Sequence, residues 1–186
     1  MGGMLAPNQS CPGTVRLRQW LDSDLEPFAA MNADSEVMRY FPAVLDREQS
    51  RAMLGRIRAL IEQRGWGLWA VEVASEFAGF TGLAVPRFTA AFTPCVEVGW
   101  RLRREFWGRG IAYRAARQAL THGFDVLKLP EIVSFTSTVN TRSRRLMERL
   151  GMRRDEADDF AHPTIPEGHE LRPHVLYRLR QNGEDV

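Results

Sequence analysis

The sequence predicts an α/β domain in which strands and helices alternate, and three stretches carry that prediction. Val96–Ala112 runs from a strand pattern through a glycine-bearing turn into a helical pattern. Asp46–Arg64 is a long amphipathic pattern followed by two β-rich segments, and Ile132–Thr138 is a strand pattern followed by a helix that Gly151 closes. In the first stretch Val96, Val98 and Trp100 alternate with Glu97, Gly99 and Arg101, the two-residue period of a pleated segment. Trp107-Gly108-Arg109-Gly110-Ile111-Ala112 then enters a helix. Glycines let a backbone approach closely, and the first N–H groups of a helix lack internal acceptors and favour an anion. Taken alone, such a turn suits phosphate binding or merely a tight strand-to-helix connection.

The other elements follow in chain order. Residues 1–13 read as a lead-in, and Thr14–Trp20 alternates as a first strand. Asp22-Ser23-Asp24 offers N-cap chemistry for a helix through Leu25, Phe28 and Met31, and Ser35 is expected to cap a short helical turn through Tyr40 that Pro42 stops. From Asp46 to Arg64, Met53, Ile57, Leu60 and Ile61 recur at helical spacing. Leu68–Val73 and Phe77–Val85 form a hairpin across Ala74-Ser75-Glu76, and Pro86–Pro94 is a turn-prone connection. Ala112, Ala115, Ala116, Ala119, Leu120, Phe124 and Leu127 mark one helix face, and Pro130 bars its continuation. Asn140 is a good N-cap for the helix that follows Ile132–Thr138, and His174–Arg180 is a final strand.

Length and composition bound the possibilities. At 186 residues, with 44% hydrophobic and 26% charged residues, the chain has the size and balance of one globular domain, taken as 14–181. A net charge of +2 is too small to imply nucleic-acid binding, although nearly all the positive charge is arginine. Cys11 and Cys95 are too few for a disulfide framework and lack metal-ligand spacing, and Cys95 is expected to be a small buried hydrophobe. No run is long enough to span a membrane and no signal segment is evident, so a cytoplasmic protein without membrane association is expected.

Three pieces in this order, EVGWRLRREFWGRGIAYRA, IVSFTSTVN and NTRSRRLMERLGM, resemble the Gcn5-related N-acetyltransferase (GNAT) superfamily. Within it they resemble the branch of ribosomal-protein alanine N-acetyltransferases. The resemblance is sharp from Glu97 to Met152 and extends in element order over Arg16–Arg154. It implies a mixed, mostly antiparallel sheet with helices on both faces, splayed where acetyl-CoA enters as co-substrate. It also implies transfer of an acetyl group to a primary amine by direct attack in a ternary complex. The amine would belong to a protein N-terminus or to a small amine or amino-acid-like metabolite. A non-catalytic CoA-binding or interaction domain and an arginine-rich nucleic-acid module are the rival readings; no metal is implied, and the chain would act as a monomer or homodimer.

By the same resemblance, main-chain groups at Trp100, Arg101 and Leu102 would hold the pantetheine arm. Those of Gly108, Arg109, Gly110, Ile111 and Ala112 would hold the pyrophosphate. Asn140 is either a helix cap alone or also a CoA contact. Trp107 stands where many members carry Gln or Arg; it reads as a mark of the branch and as a packing residue.

Amine acetylation needs a neutral amine, a polarised thioester carbonyl and a thiolate that can leave. Glu97, on the cofactor strand in an apolar setting, is the candidate base, since burial raises a carboxylate pKa; its bland alternative is an ion pair with Arg101 on the same strand face. The superfamily's tyrosine acid falls at Met147, which cannot donate a proton. Ser143 can replace it, or can serve only as first-turn helix chemistry or a CoA contact. His122, His162, His169 and His174 have no metal spacing. Phe41, Trp66, Trp69, Phe80, Phe88 and Phe92 are either core or the lining of an acceptor cleft.

Overall fold

The computed structural model describes residues 13–181, so Cys11 and nearly all of the lead-in lie outside the described residues. The strands are β1 (Val15–Arg18), β2 (Leu68–Val73), β3 (Glu76–Ala84), β4 (Glu97–Leu102), β5 (Glu131–Ser137), β6 (Arg153–Arg154), β7 (Phe160–Ala161) and β8 (Pro173–Arg180). The helices are α1 (Leu25–Ala33), α2 (Arg47–Arg64), α3 (Ile111–Thr121) and α4 (Thr141–Arg149). They build one mixed sheet in the order β1-β2-β3-β4-β5-β8-β6, with β7 added along β8, and every pairing except β4 with β5 is antiparallel.

Opposite residue parities on the strands feed two cores. Phe80 on β3 and Ala70 on β2 meet Trp20, Phe28, Met31, Leu54, Ile57 and Ile61 under α1 and α2. Leu83, Val98, Ile132, Val175 and Tyr177 instead meet Ala116, Ala119 and Met147 under α3 and α4. Ala115, Ala116 and Ala119 of α3 are wholly buried, so this helix lies close against the sheet. The α-helix stops at Thr121 and not near Leu127, because His122–Val126 widens into a π turn closed by a hydrogen bond from Leu127 N–H to His122 C=O. That turn presses Gly123 against Ile132 and Leu83, where a Cβ would lie 2.5 Å from Ile132 Cδ1.

Local signals set most boundaries. Asp46 caps α2 through the Gln49 N–H, Gln49 returns the bond, and Gly65 ends the helix in the left-handed conformation. The β2–β3 turn uses two residues, Ala74 and Ser75, both at positive φ as a type I′ hairpin turn requires, and Glu76 already belongs to β3. Residues 35–40 form successive turns and no helix, and Asp34, not Ser35, accepts the capping bond from the Glu36 N–H. Cys95 is half-buried and unpaired among the described residues, and its thiol is pushed up to about 11 by desolvation first and by the neighbouring Glu97 second.

Asp24 does not cap α1 with its side chain. It is buried and grips Arg18 through both oxygens (2.7 and 2.9 Å) while accepting the Leu21 N–H, and Arg18 also reaches Glu72 at 2.6 Å. Removing the cation leaves Asp24 buried and charged without a counter-ion, so Arg18→Met should cost about 3 kcal/mol of unfolding free energy. Urea titration checks this; a midpoint within error of the wild type would show the pair to be dispensable.

Candidate active site

The seam between β4 and β5 opens almost at once. β4 pairs with β3 along all six of its residues, but with β5 it shares one aligned pair, Glu97 with Val133. The strands are joined there by the bond from Val133 N–H to Val96 C=O and by Ser134 Oγ donating to Val98 C=O at 2.9 Å, and they part beyond. Because main-chain groups alternate along a strand, the backbone of Trp100 and Leu102 faces the opened edge, as that of Val98 does. The backbone of Arg101 is turned toward β3, where it is aligned with Phe80. Leu102 C=O is already occupied by the Trp107 indole N–H at 2.9 Å, so Trp107 is a packing residue that closes the far end of the edge. The donors and acceptor left on this edge are those of Trp100 and the N–H of Leu102.

Gly110 precedes α3 with φ 69°, and Gly108 has φ 71°, a backbone region that glycine enters without penalty. No side chain caps the α3 N-terminus, so the N–H groups of Ile111, Ala112 and Tyr113 keep the free valence of a helix start. A Cβ built on Gly108 meets nothing within 4 Å, and one on Gly110 meets only Arg114 Nη1 at 3.9 Å. The space over the turn is open. Arginines ring it: Arg109 lies over Phe106, and Arg142 at the start of α4 stacks on Trp107 at 4.6 Å.

Asn140 caps α4, its Oδ1 accepting the Ser143 N–H. Its amide group donates to Thr136 Oγ1 at 2.9 Å and to Ser143 Oγ at 3.2 Å, which employs both of its hydrogens inside the protein. Ser143 Oγ also accepts a long bond of 3.4 Å from the Trp100 indole N–H. With two N–H donors aimed at its lone pairs, the hydroxyl hydrogen of Ser143 is left to donate elsewhere. Met147 on the same helix is fully buried in the core and faces no such role.

Glu97 stands at the mouth of the seam. It makes no hydrogen bond or ion pair among the described residues, and burial alone pushes its carboxyl from 4.5 up to about 7. The ion pair with Arg101 does not form. Arg101 turns toward α1 and the 34–46 loop, donating to Asn32 Oδ1 at 2.7 Å and lying over the Phe41 ring at 4.1 Å. Gly99 lies between the two on the same strand face, and a Cβ there would meet nothing within 4 Å. A cleft therefore lies on the α1/α2 side of β4, with Glu97 and Arg101 at its ends.

The far wall of that cleft was not legible in the sequence as a unit. Phe135, level with Gly99 across the seam by the β4–β5 register, joins Phe88, Phe92, Phe160, His162 and His174 in one aromatic cluster with neighbouring centroids 4.6–6.3 Å apart. Burial lowers the pKa of both histidines, that of His174 to about 4, so the cluster is uncharged at neutral pH. Among the described residues no group of His, Cys, Asp and Glu could hold a metal ion, and no helix is long and apolar enough to cross a membrane.

Residues 14–153 match the model of the acetyltransferase (GNAT) domain. The chain is 30% identical over 141 residues to the protein YkkB of Bacillus subtilis, covering 74% of this chain and 81% of that one. It is 33% identical over 110 residues to an FsC-acetyl coenzyme A-N(2)-transacetylase of Aspergillus fumigatus, covering 57% of this chain and 47%, about half, of that longer one. A crystal structure of a GNAT-family acetyltransferase from Bacillus anthracis superposes with a TM-score of 0.71 at 26% identity, covering 89% of this chain and 94% of that one. A ribosomal L7/L12 alpha-N-protein acetyltransferase in complex with coenzyme A superposes with the same TM-score at 17% identity over 90% and 94%, a likeness of fold that suggests the ribosomal branch only distantly.

Proposed function

The chain belongs to the acetyltransferase (GNAT) domain family and is an acetyl-CoA-dependent N-acetyltransferase, and from that premise we propose that it acetylates a primary amine by direct attack in a ternary complex. The observation that supports this most is the seam: two parallel strands share one aligned pair and then part, between a candidate base and a candidate acid. The thioester arm lies along the free edge of Trp100 and Leu102, as an added strand would. The pyrophosphate lies on the N–H groups of the Gly108–Ala112 turn, where the helix dipole and open glycines favour it. Arg109 contributes charge. Asn140, with its amide hydrogens spent, positions Ser143 and offers the cofactor at most the second lone pair of Oδ1. Arg101 contributes its side chain to the acceptor cleft and not its main chain to the pantetheine arm.

In the reaction the amine nitrogen bonds to the acetyl carbon as the carbon–sulfur bond breaks. Glu97, with a pKa near 7, takes the proton lost by the amine, directly or through a water. Ser143 supplies its free hydrogen to the departing thiolate and is reprotonated from solvent. A protein N-terminus and a small amine are both compatible with the cleft. The domain is assigned to 14–181, and residues 1–13 lie outside it.

A free-thiol assay across peptides and small amines tests the reading, together with the rise in melting temperature on adding acetyl-CoA. Thiol release that needs no acceptor would overturn direct transfer, and absence of the thermal shift would overturn the placement of the cofactor. Ser143→Ala should lower kcat about tenfold with the acetyl-CoA-induced shift retained, because water can partly replace the lost donor. Loss of the shift with unchanged kcat would instead make Ser143 a binding residue.

A further inference from the structure

Arg101 is a deep cation without a counter-ion among the described residues. Arginines elsewhere in the described chain, among them the well-buried Arg18, reach a carboxylate within 4 Å. Arg101 reaches none. Its Nη1 donates to Asn32, a neutral acceptor that is wholly buried and is itself held by a bond from its amide to Ser50 Oγ at 3.1 Å. Its Nε is sealed from solvent with no partner. Its Nη2 has no partner among the described residues and is not sealed. The rings of Phe41 and Phe80, at 4.1 and 5.3 Å, offset part of the cost of burying the charge. Desolvation still lowers its pKa to about 10.

The environment orients this guanidinium without neutralising it. An aspartate in place of Asn32 would form the usual pair; asparagine fixes the fork and leaves the charge whole. The group sits at the end of the acceptor cleft, past the open space over Gly99 and on the sheet face opposite α3. It is thereby separated from the turn assigned to the pyrophosphate.

Resting on the acetyltransferase reading above, we infer that the acceptor is an amine that also carries a carboxylate, and that Arg101 binds this carboxylate while the amine lies at Glu97. The Cα atoms of the two residues are about 13 Å apart along the strand, and Arg101 leans away from the seam toward α1 and Phe80. Amine and carboxylate of the acceptor are therefore several bonds apart, as in an ω-amino acid or an acidic side chain near a peptide N-terminus. Phe135 faces the intervening stretch.

The test uses matched acceptors: ω-amino acids of increasing length and short acidic peptides, each beside its carboxamide, with thiol release measured at saturating acetyl-CoA. For the wild type, kcat/KM should favour the carboxylate member by at least about tenfold, mainly through KM. Arg101→Met should level each pair. Asn32→Asp, which keeps the Phe41 stack and supplies an internal counter-ion, should also reduce the preference while the acetyl-CoA-induced thermal shift persists. Equal rates for carboxylate and carboxamide in the wild type would overturn the inference, and so would turnover confined to acceptors without a carboxylate. If no member of either set is acetylated while acetyl-CoA still raises the melting temperature, the acceptor class is wrong and the cofactor reading stands. If acetyl-CoA gives no shift, the underlying reading itself has failed.

Discussion

Gly110→Trp should abolish the rise in melting temperature that acetyl-CoA gives the wild type. Two effects of the substitution need separating. A side chain at φ 69° costs about 1–2 kcal/mol of backbone strain, whatever its size. Its bulk also enters the space over the α3 N-terminus, where the only atom near a new Cβ is Arg114 Nη1. Gly110→Ala carries the strain with little bulk, so it should lower stability modestly and keep most of the shift. The tryptophan variant should lose affinity for acetyl-CoA at least about a hundredfold, since the close approach of phosphate to main-chain N–H groups is denied. Calorimetric titration of both variants checks this. Equal affinity in Gly110→Trp and the wild type would remove the Gly108–Ala112 turn from the cofactor site.

What could be read from the sequence was what is local in the chain. The Asp46–Gln49 capping pair, Gly65, the Asn140 cap and the periodicity of β4 each lie within a few residues of what they determine, so their elements fall close to the expected places. The two-residue strands β6 and β7 are too short to display a period, and they were not anticipated. Contacts across the chain escaped for a different reason. Arg101 was legible as a neighbour of Glu97 on one strand face, yet its partner is Asn32 on α1, 69 residues away, and its stacking ring Phe41 lies in the 34–46 loop, whose conformation no pattern specifies. The expected helix cap at Ser35 failed within that same loop. Ser143 was legible as a polar group near the cofactor. That its oxygen is loaded by Trp100 and Asn140, leaving its hydrogen free, depends on how α4 packs beside the seam. The seam itself follows from register: β5 commits seven residues to β8 and one to β4, an imbalance that neither strand's own sequence states.

Glu97→Gln should lower kcat/KM by about a hundredfold near pH 7 with acetyl-CoA affinity unchanged. The carboxyl is isolated, so its raised pKa comes from desolvation alone, and the amide fills the same volume without the charge. For the wild type the pH profile should rise through about 7 as Glu97 ionises. The variant should lack that limb and recover toward high pH, where the free amine no longer needs a base. Stability should move the other way. A carboxyl raised from 4.5 to about 7 by folding favours the protonated state, and its contribution to stability is whole below pH 4.5 and lost as pH rises to about 7. Above that the buried charge costs the wild type up to about 3 kcal/mol, so Glu97→Gln should be the more stable protein at pH 8 and nearly equal at pH 4.5. A group retained for packing would give unchanged kinetics; a group retained at a cost in stability for the sake of catalysis gives both effects together. Urea titrations at the two pH values, run beside the kinetic profile, distinguish these, and a variant of wild-type activity would remove Glu97 as the base.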